Sequence, residues 1–492
     1  MMKAVKKPFL LAMLAVTLWR LLVNAMVGDN ILPDEAQYWD WSRHLAWGYF
    51  SKPPLIGWSL GLMTHLCGDG VFCLRLPSPL LQAGAAAFLG LAAHWLHDKS
   101  ARNQSPPVHR PSIGGATALL YLTMPGIFFS SFYITTDSLL LCCWCAAFAC
   151  YIYALHQHNT RTPWLLWGLS AGLGLLAKYA FAYFLGGMVL HAIISPQARQ
   201  LYKKPYWLLG MAIMLAITAP HWWWNATHGF QTLQHTAANA SWDGQEKIAR
   251  FSQHFYNLAE FLLGQLFIAG PLLWGAVGFT IKKTPLFKPS PIQEKFLLCL
   301  CFALPALLLM CLQAFMVRAH ANWAATAYPA VVLLASVITP PKWQQWTWRS
   351  NIAIGLVICC MYVAGEYKTL KPDPFIKQRG WPALAAATTQ AVGEQAQPVT
   401  LVTNERKITA LMLYHLRHEP INVRILTHDG AAHNHFEQTL AFDPDDHKNQ
   451  QIFVLAEDLP AILAEKFPLM QQHFTLQNRG KPHEWQLYEL SR

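Results

Sequence analysis

The sequence predicts an α-helical polytopic membrane protein that carries a small α/β domain at its C-terminal end. Of its 492 residues, 54% are hydrophobic and only 13% are charged, and 21 are tryptophans. The mean hydropathy is positive, at +0.23. This is more apolar surface than one soluble core can bury, so most of the helices are expected to lie in a bilayer.

Apolar runs recur along residues 8–367. A helix needs about 20 apolar residues to cross the hydrocarbon of a bilayer, and the runs predict about eleven such helices. The predicted spans are 8–27, 76–96, 113–131, 138–155, 163–177, 179–194, 206–220, 259–281, 296–316, 323–340 and 351–367. Lys178 interrupts the stretch 163–194. A single helix there would put this lysine in lipid, so a hairpin that turns at Lys178 is the preferred interpretation.

The basic residues predict the orientation of the helices. Lys and Arg are more frequent in the segments that a cytoplasmic N-terminus would place inside, such as the one with Lys203 and Lys204. With an odd number of spans, the C-terminal domain is then periplasmic. The net charge of +11 follows from this bias and is no evidence for nucleic-acid binding. The N-terminal apolar run is too long for a signal peptide and is expected to stay as an anchor.

From about residue 369 the composition changes, which divides the chain into a membrane domain, 1–368, and a periplasmic domain, 369–492. The tail alternates strand-like and helix-like runs, a pattern typical of a small α/β domain. The runs are 399–402 and 451–455 for strands, and 406–417 and 459–467 for helices. Because the tail has no Gly-rich phosphate loop and no metal-spaced cysteines, we expect a cap or a platform that guides an acceptor.

The first loop after the N-terminal anchor holds the most informative charges. Asp34 and Glu35 open this loop, and Lys52 precedes Pro53-Pro54 near its middle. A charged group costs about 3 kcal/mol at the centre of a bilayer, so charges kept at the membrane edge suggest chemistry on a substrate that the membrane supplies. An ordinary solvated loop with a salt bridge is the alternative.

Two further features of this loop lead to expectations. A helix that begins at the acidic residues would lay Tyr38, Trp41 and Leu45 along the lipid headgroups. Cys67 and Cys73 flank Gly68-Asp69-Gly70, where an oxidising compartment would permit a disulfide, and the sequence leaves that pairing open. Other cysteines lie in predicted spans and are expected to act as small hydrophobes.

These residue types suit the transfer of a sugar from a lipid phosphate. Such a reaction needs a base for an acceptor hydroxyl and cations for the departing phosphate. Asp34 is the candidate base and Lys52 a candidate cation. Arg75 and Lys178 lie on the same predicted side, and phospholipid snorkelling is the alternative for both. Weaker candidates for contact with sugar or phosphate are His228 and Arg318.

Strings of residues in and beside the predicted exterior loops form a series. In chain order they are Asp34-Glu35-Ala36-Gln37-Tyr38, Lys52-Pro53-Pro54-Leu55-Ile56-Gly57-Trp58, Arg75-Leu76-Pro77-Ser78, Thr136-Asp137, Leu176-Ala177-Lys178-Tyr179, Trp224-Asn225, His228-Gly229-Phe230, Asn322-Trp323 and Tyr328-Pro329. The series resembles the bacterial glycosyltransferases of family 39 and their relatives, among them protein O-mannosyltransferases, lipid A aminoarabinose transferases and lipopolysaccharide galacturonosyltransferases. The resemblance covers most of the membrane part and the tail only weakly.

The resemblance implies a GT-C membrane fold with a periplasmic catalytic face, a polyprenyl-phosphate sugar donor and transfer with inversion. The catalytic positions that it implies are Asp34, Glu35 and Asp137, and the donor-binding positions are Lys52, Lys178 and the adjoining Tyr179. Aminoarabinose transferases carry Glu before Lys-Pro-Pro where this chain has Ser51. A metal site that uses that glutamate is therefore doubtful here, and no cofactor is expected to be required.

The predicted function is that of a bacterial inner-membrane glycosyltransferase. It would move a sugar from a polyprenyl-phosphate donor to a periplasmic acceptor, which is lipid A or lipopolysaccharide, another envelope glycan or a protein. A transporter or flippase of a lipid-linked sugar is the main alternative, but it predicts ionisable residues deep inside spans and a repeat that relates two halves. A non-catalytic assembly protein is a third hypothesis. The sugar, the acceptor and the oligomeric state stay open.

Overall fold

The computed structural model is mainly helical and describes residues 7–101, 113–157, 159–240, 251–283, 290–393, 398–427, 431–443, 450–457, 469–477 and 484–491. The helices are α1 (Lys7–Met26), α2 (Pro33–Arg43), α3 (Leu55–Cys67), α4 (Val71–Arg75), α5 (Pro77–Ala101), α6 (Ile113–Leu122), α7 (Pro125–Ser130), α8 (Thr136–His156), α9 (Thr162–Ala177), α10 (Ala182–Ile194), α11 (Pro196–Leu201), α12 (Tyr206–Thr227), α13 (Gln231–Asn239), α14 (Phe251–Ala269), α15 (Pro271–Lys283), α16 (Pro291–Met316), α17 (Tyr328–Ile338), α18 (Pro341–Glu366), α19 (Trp381–Val392), α20 (Arg406–His415) and α21 (His435–Thr439). The 3₁₀ segments are Tyr179–Phe181, Ala321–Ala327 and Ile376–Gln378, and the strands are β1 (Val399–Thr403), β2 (Ile421–Ile425), β3 (Gln451–Ala456), β4 (Leu469–Gln477) and β5 (Glu484–Ser491).

Several of these helices can cross a membrane. By length and composition, six of the described helices qualify, or seven if the bent pair Ser252–Ala269 and Pro271–Lys282 counts as one span. Shorter apolar helices are Leu55–Cys67, Ile113–Leu122, Thr162–Ala177 and Tyr179–Ile194. The multi-pass membrane character is therefore confirmed, whereas the number of eleven spans and their orientation stay predictions.

Two predicted spans are not continuous helices. The run 113–131 breaks after α6, because Met124 is not helical and Pro125 begins α7. The run 259–281 bends by 96° between α14 and α15. At that bend Gly270 has a φ of +85°, a conformation that favours glycine, and Pro271 follows it. Pro125 and Gly270 mark these breaks in the sequence, but a prediction from apolar length alone joins the helices across them.

Lys178 ends a helix, as predicted. Its backbone is extended, with φ −164° and ψ 136°, and this separates α9 from the 3₁₀ turn that leads into α10. The predicted hairpin is nevertheless wrong, because α9 packs mainly on α8 and α12, while α10 packs mainly on α16. The two helices do not form a side-by-side pair.

The chain divides into two compact units. The first comprises Met1–Asn24, Lys52–Ile56 and Arg75–Cys359 and is a bundle of apolar helices. Within it α5 packs on α6 and α8, α8 on α9, and α9 on α12. Small residues permit close approach between α9 and α12, since a Cβ at Gly210 would lie 2.8 Å from the carbonyl oxygen of Trp164. Such contacts fix the helices that carry the polar residues of this unit.

The second unit comprises Ala25–Ser51, Gly57–Leu74 and Cys360–Arg492. Its sheet has the order β2-β1-β3-β5-β4, in which β1 pairs in parallel with β2 and β3, and β5 runs antiparallel to β3 and β4. The predicted strands at 399–402 and 451–455 and the helix that begins at 406 are confirmed. The predicted helix at 459–467 lies outside the described residues, and the proposed boundary at 369 stays a prediction.

Helix α2 packs on α20 inside the second unit. Trp39 meets Tyr414 edge-on at a centroid distance of 5.3 Å, and Trp41 stacks on Tyr49 at 4.4 Å. Tyr38 and Trp41 are buried, so the prediction that they lie along the headgroups is wrong: the protein itself covers their apolar surface. Leu45 is exposed. A disulfide joins Cys67 and Cys73.

Candidate functional site

One polar cluster of the first unit is centred on Asp137. This residue lies in the first turn of α8, where the helix dipole favours a carboxylate. Lys178 donates to its Oδ1 at 2.6 Å, and the side-chain amide of Asn322 donates to its Oδ2 at 2.8 Å. Both carboxylate oxygens are therefore engaged, and the side chain is only 13% exposed.

The break at Lys178 explains how this lysine reaches Asp137. Its backbone N–H still donates to Gly174 at 3.0 Å, so it caps the end of α9, while its extended backbone turns away from the helix path. Its charge is compensated by a carboxylate, which removes the cost of an unpaired lysine at this position. The charge of Lys52 also acts on Asp137. The structure thus pairs Lys178 directly with Asp137 and places Lys52 near enough for its charge to reach the same carboxylate.

Tyr179 continues this polar region. Its hydroxyl contacts Nε2 of His221 at 2.8 Å and accepts from the side-chain amide of Asn225 at 3.5 Å. Its ring stacks on Trp222 at 5.6 Å. The histidine and asparagine were not among the predicted site residues, although Asn225 belongs to one of the recognised strings. His221 and Asn225 fix the hydroxyl of Tyr179, the residue that follows Lys178 in the chain.

Three other predicted residues lie in different surroundings. Arg75 is buried, with its guanidinium 5.1 Å from the centre of the Tyr133 ring, so lipid snorkelling does not describe it. His228 is exposed and stacks on Trp224 at 4.2 Å. Arg318 is also exposed. Within the described part of the chain, the side chains of His228 and Arg318 contact neither Asp137 nor Lys178.

Asp34 lies in the first turn of α2, in the second unit. Both terminal nitrogens of Arg406 donate to its Oδ1, each at 3.1 Å. Arg406 also donates to the side-chain oxygen of Gln37. The Asp34 side chain is 62% exposed. Arg406 was missed in the sequence, where it lies in a tail to which no chemistry was assigned.

Glu35 has a different environment from its neighbour. It is 1% exposed, and its Oε2 accepts from the backbone N–H of Leu32 at 3.0 Å. This bond satisfies one of the free N–H groups at the start of α2. The geometry therefore shows Glu35 in a capping position, and it supports the helix that presents Asp34.

Other ionic contacts of the second unit hold the disulfide loop. Asp69 pairs with Arg417 at 3.3 Å and with Arg43 at 3.9 Å, and its backbone oxygen accepts from Tyr414 at 2.8 Å. Among the residues that the structure describes, no three His, Cys, Asp or Glu side chains are grouped so that they could hold a metal.

Sequence comparison places the chain in a family of known proteins. Residues 51–224 match the family of dolichyl-phosphate-mannose-protein mannosyltransferases. The lipid A galacturonosyltransferase RgtD of Rhizobium johnstonii is 30% identical over 445 residues, which are 89% of this chain and 88% of the relative. An aminoarabinosyl transferase of Yersinia enterocolitica that uses undecaprenyl phosphate-linked 4-amino-4-deoxy-L-arabinose is 25% identical over 240 residues, 44% of this chain and 41% of the relative.

The solved structures agree on the fold. ArnT from Cupriavidus metallidurans, in the crystal structure with undecaprenyl phosphate, aligns with a TM-score of 0.66 and 14% identity over 99% of this chain and 98% of ArnT. The apo structure of the same protein aligns with a TM-score of 0.62. The resemblance seen in the sequence strings is confirmed: the chain belongs to the GT-C glycosyltransferases of family 39 type and is a membrane glycosyltransferase.

Proposed function

We propose that the protein transfers a hexuronic acid, galacturonic acid in the first instance, from a polyprenyl-phosphate donor to lipid A or lipopolysaccharide at the periplasmic face of a bacterial inner membrane. The donor class is supported by the aminoarabinosyl transferase relatives and by the ArnT structure with undecaprenyl phosphate. The sugar and acceptor are supported by the relative that aligns over 89% of the chain, a lipid A galacturonosyltransferase. Because the chain belongs to a family of glycosyltransferases, a transporter role is no longer supported.

The observation that carries the proposal is the arrangement of Lys52, Lys178 and Asp137. Two lysines act on one aspartate, so the three charged groups keep a net positive charge. The donor phosphate already carries a negative charge when it binds and gains more as it leaves, so fixed cations hold the bound donor and also stabilise the departing phosphate. We assign the phosphate to these lysines and give Asp137 the task of orienting Lys178.

Asp34 is the proposed general base. In the reaction, the proton of the acceptor hydroxyl passes to the Asp34 carboxylate while the hydroxyl oxygen bonds to the anomeric carbon of the sugar. The bond between that carbon and the phosphate oxygen breaks, and its electron pair stays on the polyprenyl phosphate. Attack opposite the leaving phosphate inverts the anomeric configuration. An exposed carboxylate suits this role, because the acceptor must reach it.

Purified full-length protein and synthetic donors test this proposal. We expect transfer to lipid A from polyprenyl phosphate-linked galacturonic acid and little transfer from the aminoarabinose donor. UDP-galacturonic acid should be inert, and chelation should leave most of the activity. Robust transfer from the nucleotide sugar without polyprenyl lipid would overturn the donor assignment. Preference for the aminoarabinose donor would overturn the sugar.

The proposed orientation has its own test. A phosphatase fused after Arg492 should be active in the periplasm, and one fused after Lys204 should be inactive, because only the first fusion point lies outside in the proposed topology. The reverse pattern would place Asp34 in the cytoplasm and contradict the periplasmic acceptor.

A further inference from the structure

Arg406 opens helix α20, and its guanidinium donates to two residues of α2. Two of its nitrogens donate to the same oxygen of Asp34, each at 3.1 Å, and it donates also to Gln37. Asp34 and Gln37 are three residues apart and so lie on one face of α2. The guanidinium therefore bridges two neighbouring acceptors on that face.

Helix stability does not explain an arginine at this position. The N-terminal end of a helix dipole is positive, so a cation in the first turn of α20 is unfavourable. The ion pair is also open to water, since the side chains of Arg406 and Asp34 are 33% and 62% exposed. Exposed pairs of this kind contribute only about 0 to 1 kcal/mol. A residue that breaks a local rule with so little gain in stability suggests a functional role.

Gln37 supplies the fixed end of the arrangement. It is 2% exposed, inside the packed part of the second unit. Because Arg406 is bound to this buried amide, the position of its guanidinium is set by the core of the unit. The guanidinium then sets the orientation of the Asp34 carboxylate. Without this contact, the exposed side chain of Asp34 would be free to rotate.

The two oxygens of Asp34 differ in consequence. Oδ1 takes both donors from Arg406, while Oδ2 accepts no hydrogen bond from any residue in the described ranges. A base that must take a proton from an incoming hydroxyl needs one oxygen in a defined place and free of other donors. The contact with Arg406 provides this.

We propose that Arg406 is a positioning residue for the reaction: it fixes Oδ1 of Asp34 so that Oδ2 is presented to the acceptor hydroxyl. The inference rests on the proposed function, in which Asp34 is the base. It also gives the C-terminal region a part in catalysis, through one side chain at the start of α20.

Arg417 offers a matched control in the same region. It follows α20, as Arg406 begins it, and it too pairs with an aspartate of the segment between residues 25 and 74, with Nε of Arg417 3.3 Å from Asp69. It makes no contact with Asp34 among the residues that the structure describes. Loss of Arg417 therefore reports the general effect of removing an Arg–Asp pair from this unit.

The test compares Arg406→Gln with Arg417→Gln in the full-length protein, with synthetic polyprenyl phosphate-linked galacturonic acid and lipid A. We expect Arg406→Gln to lower kcat about 10- to 100-fold, the scale found when groups that orient metal ligands are removed. The KM for the donor should stay within about twofold, because a positioning defect acts on the chemical step. Arg417→Gln should keep kcat near wild type. Arg406→Lys should recover part of kcat, since it restores the charge without the planar fork.

A background variant separates this inference from the function on which it rests. In Asp34→Asn protein, Arg406→Gln should cause no further loss, because residues that act as a unit are not additive. Equal kcat values for Arg406→Gln and Arg417→Gln, with Asp34→Asn inactive, would overturn the role of Arg406 alone. An active Asp34→Asn would overturn the base itself. If Arg406→Gln does not fold, Arg406→Lys is compared with Arg417→Lys, and equal kcat values there would likewise overturn the inference.

Discussion

Asp34 and Asp137 occupy the same local position and have different environments. Each is the second residue of a helix, α2 and α8 respectively, where the dipole favours a negative charge. Asp137 has a donor on each oxygen and is 13% exposed, whereas Asp34 has both of its donors on one oxygen and is 62% exposed. Distant partners therefore decide what each carboxylate can do.

The two environments suit two different tasks, although the sequence predicts both aspartates as catalytic residues. Asp137 is largely buried and holds a donor on each oxygen, which leaves fewer of its lone pairs within reach of an acceptor hydroxyl, so Asp137 suits the orientation of Lys178. A carboxylate with one free oxygen can take a proton at once, so Asp34 suits general base catalysis. Loss of the first should affect the binding of the donor, and loss of the second should affect the chemical step.

The largest effect should come from Asp34→Asn. The change removes the base with almost no change in volume, and we expect kcat to fall about 10²- to 10⁴-fold. Steady-state kinetics on purified protein with a wild-type melting temperature measures it. Turnover near wild type would remove Asp34 from the mechanism and end the distinction between the two aspartates.

Lys178→Ala should come next. A hydrogen bond to a charged group contributes about 1.5 to 3 kcal/mol, so the KM for the donor should rise roughly 10- to 100-fold. Lys178→Arg should recover only part of this, because the guanidinium differs in shape from an ammonium. Lys52→Ala should also raise the KM. Unchanged kinetics in both alanine variants would remove these lysines from donor binding.

Asp137→Asn should have a smaller effect than loss of the lysine. The amide oxygen can still accept from Lys178, but the charge that orients it is gone, and we expect about a tenfold rise in the KM for the donor. Asn322→Ala, which removes the donor to the other oxygen, serves as the matched control and should have a weaker effect in the same direction. A loss of kcat as large as that of Asp34→Asn would give Asp137 a direct part in the chemistry.

The smallest effect concerns pH and the helix that carries Arg406. Burial, with a lesser contribution from the charge of Arg417, lowers the pKa of His415 to about 4. Because an unfolded histidine binds its proton near pH 6.5, the stabilising effect of the neutral ring is complete above that pH and declines as the pH falls towards 4. His415→Leu should flatten the loss of thermal stability between about pH 7 and pH 5. An unchanged pH dependence would show that His415 is not responsible.

The membrane class and most residues of the proposed site could be predicted from local signals. Apolar length marks the helices, and charged residues beside them mark Asp34, Lys52, Asp137 and Lys178. The break at Lys178 could be predicted because a lysine within an apolar run is costly. The breaks near Pro125 and Gly270 were underestimated, although Pro and Gly are the usual interruptions.

The partners of these residues could not be predicted in the same way. Arg406 is 372 residues away from Asp34 in the chain, and Asn322 is 185 residues away from Asp137. Nothing in the local pattern near Arg406 links it to α2, except that a basic residue begins a helix, where the dipole disfavours it. Likewise, the burial of Trp41 follows from the packing of Tyr49 against it, which no periodicity in the loop indicates.

The most direct test of the division between the two aspartates combines donor binding with single-turnover transfer in Asp34→Asn and Asp137→Asn. The account predicts that Asp34→Asn binds the polyprenyl-phosphate donor with wild-type affinity and transfers the sugar at least about 10²-fold more slowly. It predicts that Asp137→Asn binds the donor more weakly and, once saturated, transfers at a rate close to wild type. Weak donor binding in Asp34→Asn together with a lost chemical step in Asp137→Asn would contradict the account.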